Sequence, residues 1–392
     1  MIDHKLIRIT TVPQSLRGLL KGQLKFMSEN GFDVIGVSSP GDALEDVKKN
    51  EGIRVRALQM TRSISIFQDL KSLFNLFIFF KKEKPQIVHS HTPKAGTLSM
   101  LAAKLAGVPY RLHTIAGLPL LEAKGKKRLL LDIVEKITYA CATHIYPNSV
   151  GLKDIILKAN YTNPKKLKVL ANGSSNGINT AYFDPNLYSS FDRTELRNKL
   201  QIASDDFIFI FVGRLVADKG INELIAAFTN FSKTNDNVKL LLVGPYEEVM
   251  DPLYPETISQ INTNSAIISV GVQADVRPYF AIADSLVFPS YREGFPNVVM
   301  QAGAMGLPSI VTNINGCNEI ITHLSNGLII PVKNIEAIEN SMSFMLFEKN
   351  KYNLMKGNSR EFIVGRYNQH MVWKAILNEY EKILNPISNE EL

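Results

Sequence analysis

Apolar residues in this chain fall into short runs separated by longer stretches of helical periodicity. Over residues 1–170 the runs Leu6–Ile9, Asp33–Val37, Ile53–Ala57, Gln86–Ser90, Tyr110–His113, Thr143–Tyr146 and Lys168–Leu170 predict strands. Between them, Leu16–Glu29, Phe67–Lys82, Gly96–Ala106, Lys126–Ala140 and Val150–Leu157 carry the spacing of helices. Such alternation predicts a parallel, doubly wound sheet. A stretch rich in Asn, Ser and Gly, residues 171–192, interrupts it and marks a domain boundary. The alternation then restarts, with strands at Phe207–Val212, Lys239–Val243, Ala266–Val270, Ser285–Pro289, Ser309–Val311 and Gly327–Ile330. Helices are predicted at Gly220–Thr234, Val276–Ala283, Val298–Met305, Ile335–Phe347, Lys351–Val364 and Gln369–Leu384. The expected fold class is α/β: two Rossmann-like domains, 1–170 and 193–368, joined by the 171–192 linker. In that arrangement a ligand lies in a cleft where the carboxyl ends of both sheets present loops.

Composition fits two packed cores, with 45% apolar and 21% charged residues in a chain of 392. The two cysteines, Cys141 and Cys317, are far apart and match a reducing compartment. The opening MIDHKLIRITTVP is too short and polar for a secretory signal and reads as a first strand. The most apolar run, Leu73–Phe80, has eight residues against the ~20 needed to span a bilayer. It reads as the flank of a buried helix or as a membrane-surface contact.

Charge changes the picture. The net +7 hides 27 Lys and Arg against 13 Asp and Glu in residues 1–170, and 17 against 24 in the remainder. A basic first half suits an anionic partner, such as a membrane surface or a lipid diphosphate. The lysines are scattered and no nucleic-acid signature accompanies them, so nucleic acid is not expected as a partner.

Four segments carry candidate chemistry. In FVGRLVADKG, residues 211–220, Gly213 permits close backbone approach, Arg214 leaves the strand tip and Lys219 opens the next helix. Two cations beside a helix N-terminus make a diphosphate site that needs no metal. In YREGFPNVVMQ, residues 291–301, Glu293 follows a strand, Gly294, Phe295 and Pro296 shape the turn, and the helix after Asn297 aims its first amides at the same region. A carboxylate there can grip sugar hydroxyls or stabilise positive charge at an anomeric carbon; it can also simply cap the helix. Gln301, eight residues past Glu293, can serve a hydroxyl pair as donor and acceptor, or be an ordinary solvated residue.

The third segment joins VHSHTPKAG, residues 88–96, to RLHTIAGLPLL, residues 111–121. His89, His91 and His113 sit at strand tips, with His113 expected to face the ligand and Lys94 opening a helix. No cysteine or acid accompanies them, so no metal site is expected. The fourth is the first strand-to-helix loop, where Arg17, Gly18 and Lys21 can meet phosphate, although GxGxxG is missing. Asp-x-Asp, GxxxxGK[ST] and G-x-S-x-G are all absent from the sequence.

Three groups of residues resemble a glycosyltransferase of family 4, which has the two-domain GT-B fold. They are Gly213-Arg214 with Lys219; Glu293-Gly294-Phe295-Pro296 with Gln301-Ala302 and Gly306-Leu307-Pro308; and Asn315-Gly316 with Glu319. The HTPKAG and HT…GLPL segments resemble the branch that builds bacterial capsule and O-antigen repeat units. The resemblance implies retaining transfer from a nucleotide sugar, usually UDP-linked, without a cofactor. On that pattern Arg214 and Lys219 neutralise the leaving diphosphate and Glu293 contacts the donor hexose. The Gln301 position binds the ribose, the amides around Gly316 approach the donor, and His113 lies by the reaction centre. The basic domain 1–170, with a returning helix at 369–386, would bind the acceptor, an undecaprenyl-diphosphate saccharide. The expected location is cytoplasmic, peripheral at the inner face of the bacterial inner membrane. Two positions depart from the pattern: its second Glu is Gln301 here, and the loop Thr10–Gly18 lacks paired glycines. Replacing a ribose-holding carboxylate by an amide costs about 1–3 kcal/mol where the amide cannot restore its bonds. Two other classes remain open on the residues: a UDP-sugar 2-epimerase on a similar fold, and a non-catalytic sugar-nucleotide-binding protein.

Overall fold

The computed structural model describes residues 4–61, 65–247 and 251–385. The chain forms two compact units: one ends at Gly177 and resumes at Gln369, the other runs from Ile178 to Asn368. In the first, β1 (His4–Ile9), β2 (Phe32–Ser38), β3 (Arg54–Ala57), β4 (Ile87–Ser90), β5 (Tyr110–Ile115) and β6 (His144–Pro147) form a sheet of order β3-β2-β1-β4-β5-β6. In the second, β7 (Phe207–Val212), β8 (Val238–Val243), β9 (Ile267–Ser269), β10 (Ser285–Phe288), β11 (Ser309–Thr312) and β12 (Gly327–Ile330) take the order β12-β11-β10-β7-β8-β9. Each of these strand pairings is parallel. Counted from its own first strand, each unit therefore has the same topology.

The strands are apolar on both faces because helices cover both sides. Phe209, Phe211, Phe228 and Phe280 are fully buried in the second unit. Each contributes about 2–3 kcal/mol of burial. In the first unit the closing helix Gln369–Leu384 supplies Val372, Ile376, Leu377 and Tyr380 to a core with Leu6, Leu20, Phe32 and Leu112. Residue 386, at the end of the expected 369–386 segment, lies outside the described residues.

The structure corrects several expectations. The helix expected at Leu16–Glu29 is two helices, Pro13–Leu19 and Gln23–Glu29. The break sits at Gly22, whose φ is +80°, and the Trp373 ring lies 2.6 Å from where a Cβ would stand. Lys168–Leu170 is not a strand. That segment touches β6 through the single bridge Ile145↔Leu167 and turns at Ala171, where φ is +49°. Helices Ala43–Glu51 and Pro255–Thr263 went unpredicted, and helix Ser190–Lys199 begins inside the stretch read as linker. The apolar run at Leu73–Phe80 lies on helix Ile66–Glu83, which buries only a stripe at Ser72, Leu76 and Phe80. Ile66, Phe67, Leu70, Phe74 and Ile78 of this helix are exposed.

Candidate active site

The order of the second sheet places β7 beside β10 although three strands separate their starts in sequence. This is the topological switch point, where loops leaving adjacent strands diverge and open a crevice. The loop after β7 carries Gly213 to Gly220 and the loop after β10 carries Pro289 to Pro296.

The two loops are pinned together. Gly220 has φ +73°, and a Cβ there would stand 2.2 Å from the Pro289 carbonyl oxygen. Only glycine allows helix Ile221–Ser232 to start so close to the end of β10. The Tyr291 amide donates to the Asp218 carbonyl oxygen at 3.0 Å or less, at 2.9 Å, and the Arg292 guanidinium donates to Asp218 Oδ2 at 2.6 Å. Lys219, in the 3-10 turn Ala217–Lys219, then reaches Glu293: its ammonium donates to Oε1, forming an ion pair whose side chains are 17% and 16% exposed. Ser290 Oγ donates to the same oxygen at 3.0 Å. Lys219 Nζ also lies 5.8 Å from the centre of the Phe288 ring. Burial raises the Asp218 carboxyl above its usual range, against the opposing pull of Lys219 and Arg214.

A third segment closes the site. Asn315 Nδ2 donates to the Glu293 carbonyl oxygen and, at 3.4 Å, to that of Gly294. Gly316 has φ +78°, and a Cβ on it would lie 2.6 Å from the Gly294 carbonyl oxygen and 2.9 Å from Phe295 Cα. Its amide donates to Glu319 Oε1 at 3.4 Å in a capping box that opens helix Cys317–Ile320. Glu293, Gly294, Phe295, Pro296 and Gly316 thus form one fabric, in which Phe295 packs its ring 5.4 Å from that of Tyr367.

The other expected residues stand nearby without being tied in. Gly213 has φ +152°, and its carbonyl oxygen fills the space of a Cβ on Gly244, 1.8 Å away. Arg214 is exposed, and its side chain makes no hydrogen bond or ion pair among the described residues. Asn297 is exposed at the start of helix Asn297–Ala304. Gln301 is half-buried on that helix and its amide makes no hydrogen bond among the described residues. Both Arg214 and Gln301 therefore keep their bonding capacity for a ligand.

The first unit treats its candidates differently. His113 ends up buried between Ser90, whose hydroxyl is 2.8 Å from Nδ1, and helix Pro93–Ala106, where a Cβ on Gly96 would lie 2.3 Å from Cε1. Burial lowers the imidazole to about 4, so it is neutral near pH 7. His89 bonds Tyr380 Oη at 2.5 Å and Thr114 Oγ1 at 2.7 Å, while His91 Nε2 accepts from Arg8 Nε at 3.0 Å. Burial first, and the neighbouring Arg8 and imidazoles second, hold both well below the usual histidine range. Lys94 pairs with Asp69 at 2.7 Å, and Arg17 with Asp46 at 2.6 Å, on exposed ground. Gly18 is an exposed helix residue with nothing near its Cβ position. The structure brings none of these three to a common point.

Sequence reasoning missed Ser290 and the hydrogen bonds of Asn315. Ser290 carried a readable signal: it is the second residue past a strand and three before an acid. The fully buried Arg8 carried none, because a strand of alternating Arg and Ile reads as half-exposed. Among the described residues no group of three or more His, Cys, Asp or Glu is arranged to hold a metal ion.

Residues 192–362 match the family model "Glycosyl transferases group 1", and residues 9–149 match "Glycosyl transferase 4-like". The chain is 32% identical over 98% of its length, and 98% of the relative's, to the capsular polysaccharide biosynthesis glycosyltransferase CapM of Staphylococcus aureus. It is 29% identical over 93% of its length, and 94% of the relative's, to the UDP-Gal:alpha-D-GlcNAc-diphosphoundecaprenol alpha-1,3-galactosyltransferase of Escherichia coli. The fold matches that of Anabaena HepE, solved with UDP and glucose, at TM-score 0.81 and 16% identity, covering 97% of this chain and all of that one. A glycosyltransferase from Rickettsia africae matches at TM-score 0.79 and 19% identity, over 98% and 100% of the two chains. With both halves matched by family models and full-length relatives on the same fold, the chain belongs to this family: it is a GT-B glycosyltransferase of the capsule and O-antigen branch.

Proposed function

We propose that this glycosyltransferase moves a hexose or N-acetylhexosamine, with retention of configuration, from a UDP-sugar to a saccharide carried on undecaprenyl diphosphate. The observation that carries the reading is the Lys219–Glu293 pair at the switch point of the second sheet, with Arg214 exposed beside it. The name of the Escherichia coli relative, which specifies a UDP-sugar donor and a diphosphoundecaprenol acceptor, supports the substrate classes. So does that of the Campylobacter jejuni relative, an N,N'-diacetylbacillosaminyl-diphospho-undecaprenol alpha-1,3-N-acetylgalactosaminyltransferase, 27% identical over 91% of this chain.

In this reading 193–368 binds the donor and 1–170 the acceptor. Lys219, Arg214 and the first amides of helix Ile221–Ser232 take the diphosphate, so the departing charge is met by cations of the chain without a metal. Glu293, released from Lys219 and still held by Ser290, turns to the sugar hydroxyls. The bond between the anomeric carbon and the diphosphate oxygen breaks with its electron pair on that oxygen. The acceptor hydroxyl oxygen bonds the anomeric carbon on the same face, and its proton passes to the departing phosphate. Gln301 and the Gly316 amide hold the nucleotide end. His113 serves as a neutral hydrogen-bonding group. The enzyme works in the cytoplasm at the inner membrane face, where its acceptor resides.

The test is UDP release from a panel of UDP-sugars with lipid-linked acceptor, with linkage analysis of the product. Transfer by the wild type and its loss in Glu293→Ala are the expected results. Epimerised sugar nucleotide formed without acceptor, or donor binding without any turnover, would overturn the assignment.

A further inference from the structure

We propose that helices Ile66–Glu83 and Gly125–Cys141 of the first unit form a docking face for an anionic bilayer surface, inserting apolar side chains between flanking lysines. The inference rests on the lipid-linked acceptor proposed above and adds to it the residues that would touch lipid.

On helix Ile66–Glu83 the side chains of Ile66, Phe67, Leu70, Phe74 and Ile78 are 72%, 88%, 58%, 61% and 48% exposed. At 100° per residue they fall within an arc of about 120° on one side of the helix. The stripe that packs inward, Ser72, Leu76 and Phe80, lies on the other side. A helix that needed only to cover its sheet would put polar residues on the outer arc. On helix Gly125–Cys141, Leu129, Leu130, Ile133 and Ile137 are likewise exposed, within an arc of about 100°. Both helices pack against helix Pro93–Ala106, so the two apolar arcs flank one layer of the same unit.

The charges select the partner. Lys71, Lys81, Lys82 and Lys84 are exposed on or just after the first helix, and Lys124, Lys126, Lys127 and Lys136 on or just before the second. The four carboxylates of these helices are half-buried, and three are paired: Asp69 with Lys94, Glu83 with Lys5, and Asp132 with Arg128. The outer arcs thus present apolar side chains and cations without an exposed acid. An apolar face rimmed by lysines matches the interfacial zone of an anionic bilayer, where rings enter the acyl boundary and ammonium groups meet lipid phosphates. No helix among the described residues is long and apolar enough to cross a membrane, so the contact proposed is one of lying on the surface.

The test is co-sedimentation of the full chain with vesicles of phosphatidylcholine alone and of phosphatidylcholine mixed with phosphatidylglycerol. Binding is expected to the anionic vesicles, weak binding to the neutral ones, and weakening by salt. Phe67→Ser with Phe74→Ser should reduce binding by about tenfold or more, because two rings leave the acyl boundary. Lys71→Glu with Lys126→Glu should reduce it at least about fivefold on anionic vesicles only. All four sites are exposed, so the unfolding midpoint should hold, and transfer to a water-soluble acceptor analogue should be unchanged. Transfer that persists while the wild type ignores anionic vesicles would overturn the docking face and leave the transferase reading standing. A wild-type dimer that Phe67→Ser and Phe74→Ser convert to monomer, with no vesicle binding, would assign the face to self-association and overturn it as well. Vesicle binding without transfer to any acceptor would support the face and sink the proposed substrate.

Discussion

The two units share one strand order and place their candidate residues on the same kind of loop, yet they handle basic side chains in opposite ways. In the second unit Lys219 sits in a partly open pocket, stays paired with Glu293 and can exchange that partner for a ligand. In the first unit Arg8, His89, His91 and His113 are sealed beneath the sheet ends and the closing helix. Burial leaves the three imidazoles neutral. A charge keeps its chemistry where water or a counter-ion reaches it and loses it where neither does. The second site is therefore built for electrostatics, the first for shape and neutral hydrogen bonds.

The largest effect should come from removing the exchangeable charge. Lys219→Ala is expected to lower kcat/KM about 10²–10³-fold while leaving the unfolding midpoint within a few degrees. Steady-state kinetics beside a thermal melt measure both, and unchanged turnover would remove Lys219 from the site. For the first unit the expected sensitivity is to pH. Its histidines have folded values below the unfolded one, so the unfolded chain binds more protons between the two. Stability is full above about pH 6.5 and declines as pH falls through the window down to about 4 for His113. The slope is about 1.4 kcal/mol per pH unit for each buried histidine. Denaturant unfolding at pH 7 and pH 5 reads this directly, and equal midpoints would show that the rings are not buried neutral.

A pair of glycine changes sharpens the contrast within the first unit. Gly96→Ala drives a methyl into the His113 ring and should cost about 1–3 kcal/mol, whereas Gly18→Ala meets nothing and should stabilise by about 0.5–1 kcal/mol. Chemical denaturation of both variants decides it; effects of the same sign would contradict the packing described. The smallest effect is expected at Gln301. Gln301→Glu should tighten UDP-sugar binding by up to about tenfold, near 1 kcal/mol, with the rate of the chemical step nearly unchanged. Calorimetry and single-turnover kinetics separate the two, and lost activity would take Gln301 off the ribose side.

How much of this was legible beforehand depended on whether a signal was local. Glycines that need positive φ, the Gly213–Lys219 spacing and the acid three residues past Ser290 all follow from short-range backbone demands, so the donor-side residues could be named from the chain. The break at Gly22 could not be read, because it is set by Trp373, some 350 residues away in sequence. Nor could the burial of Arg8, since a hydrophobic period records the average face of a strand and not which helix later covers it.

By itself the sequence determined the alternation of strands and helices, the two sheets and the loops that carry chemistry, because those depend on periodicity and on glycine positions. Tertiary structure alone decided that Lys219 meets Glu293, that Ser290 and Asn315 hold that carboxylate in place, and that His113 is sealed as a neutral ring. It also left one arc of the Ile66–Glu83 helix uncovered. Each of these depends on which elements become neighbours, and strand order in a parallel sheet is fixed by long-range packing that no local window contains.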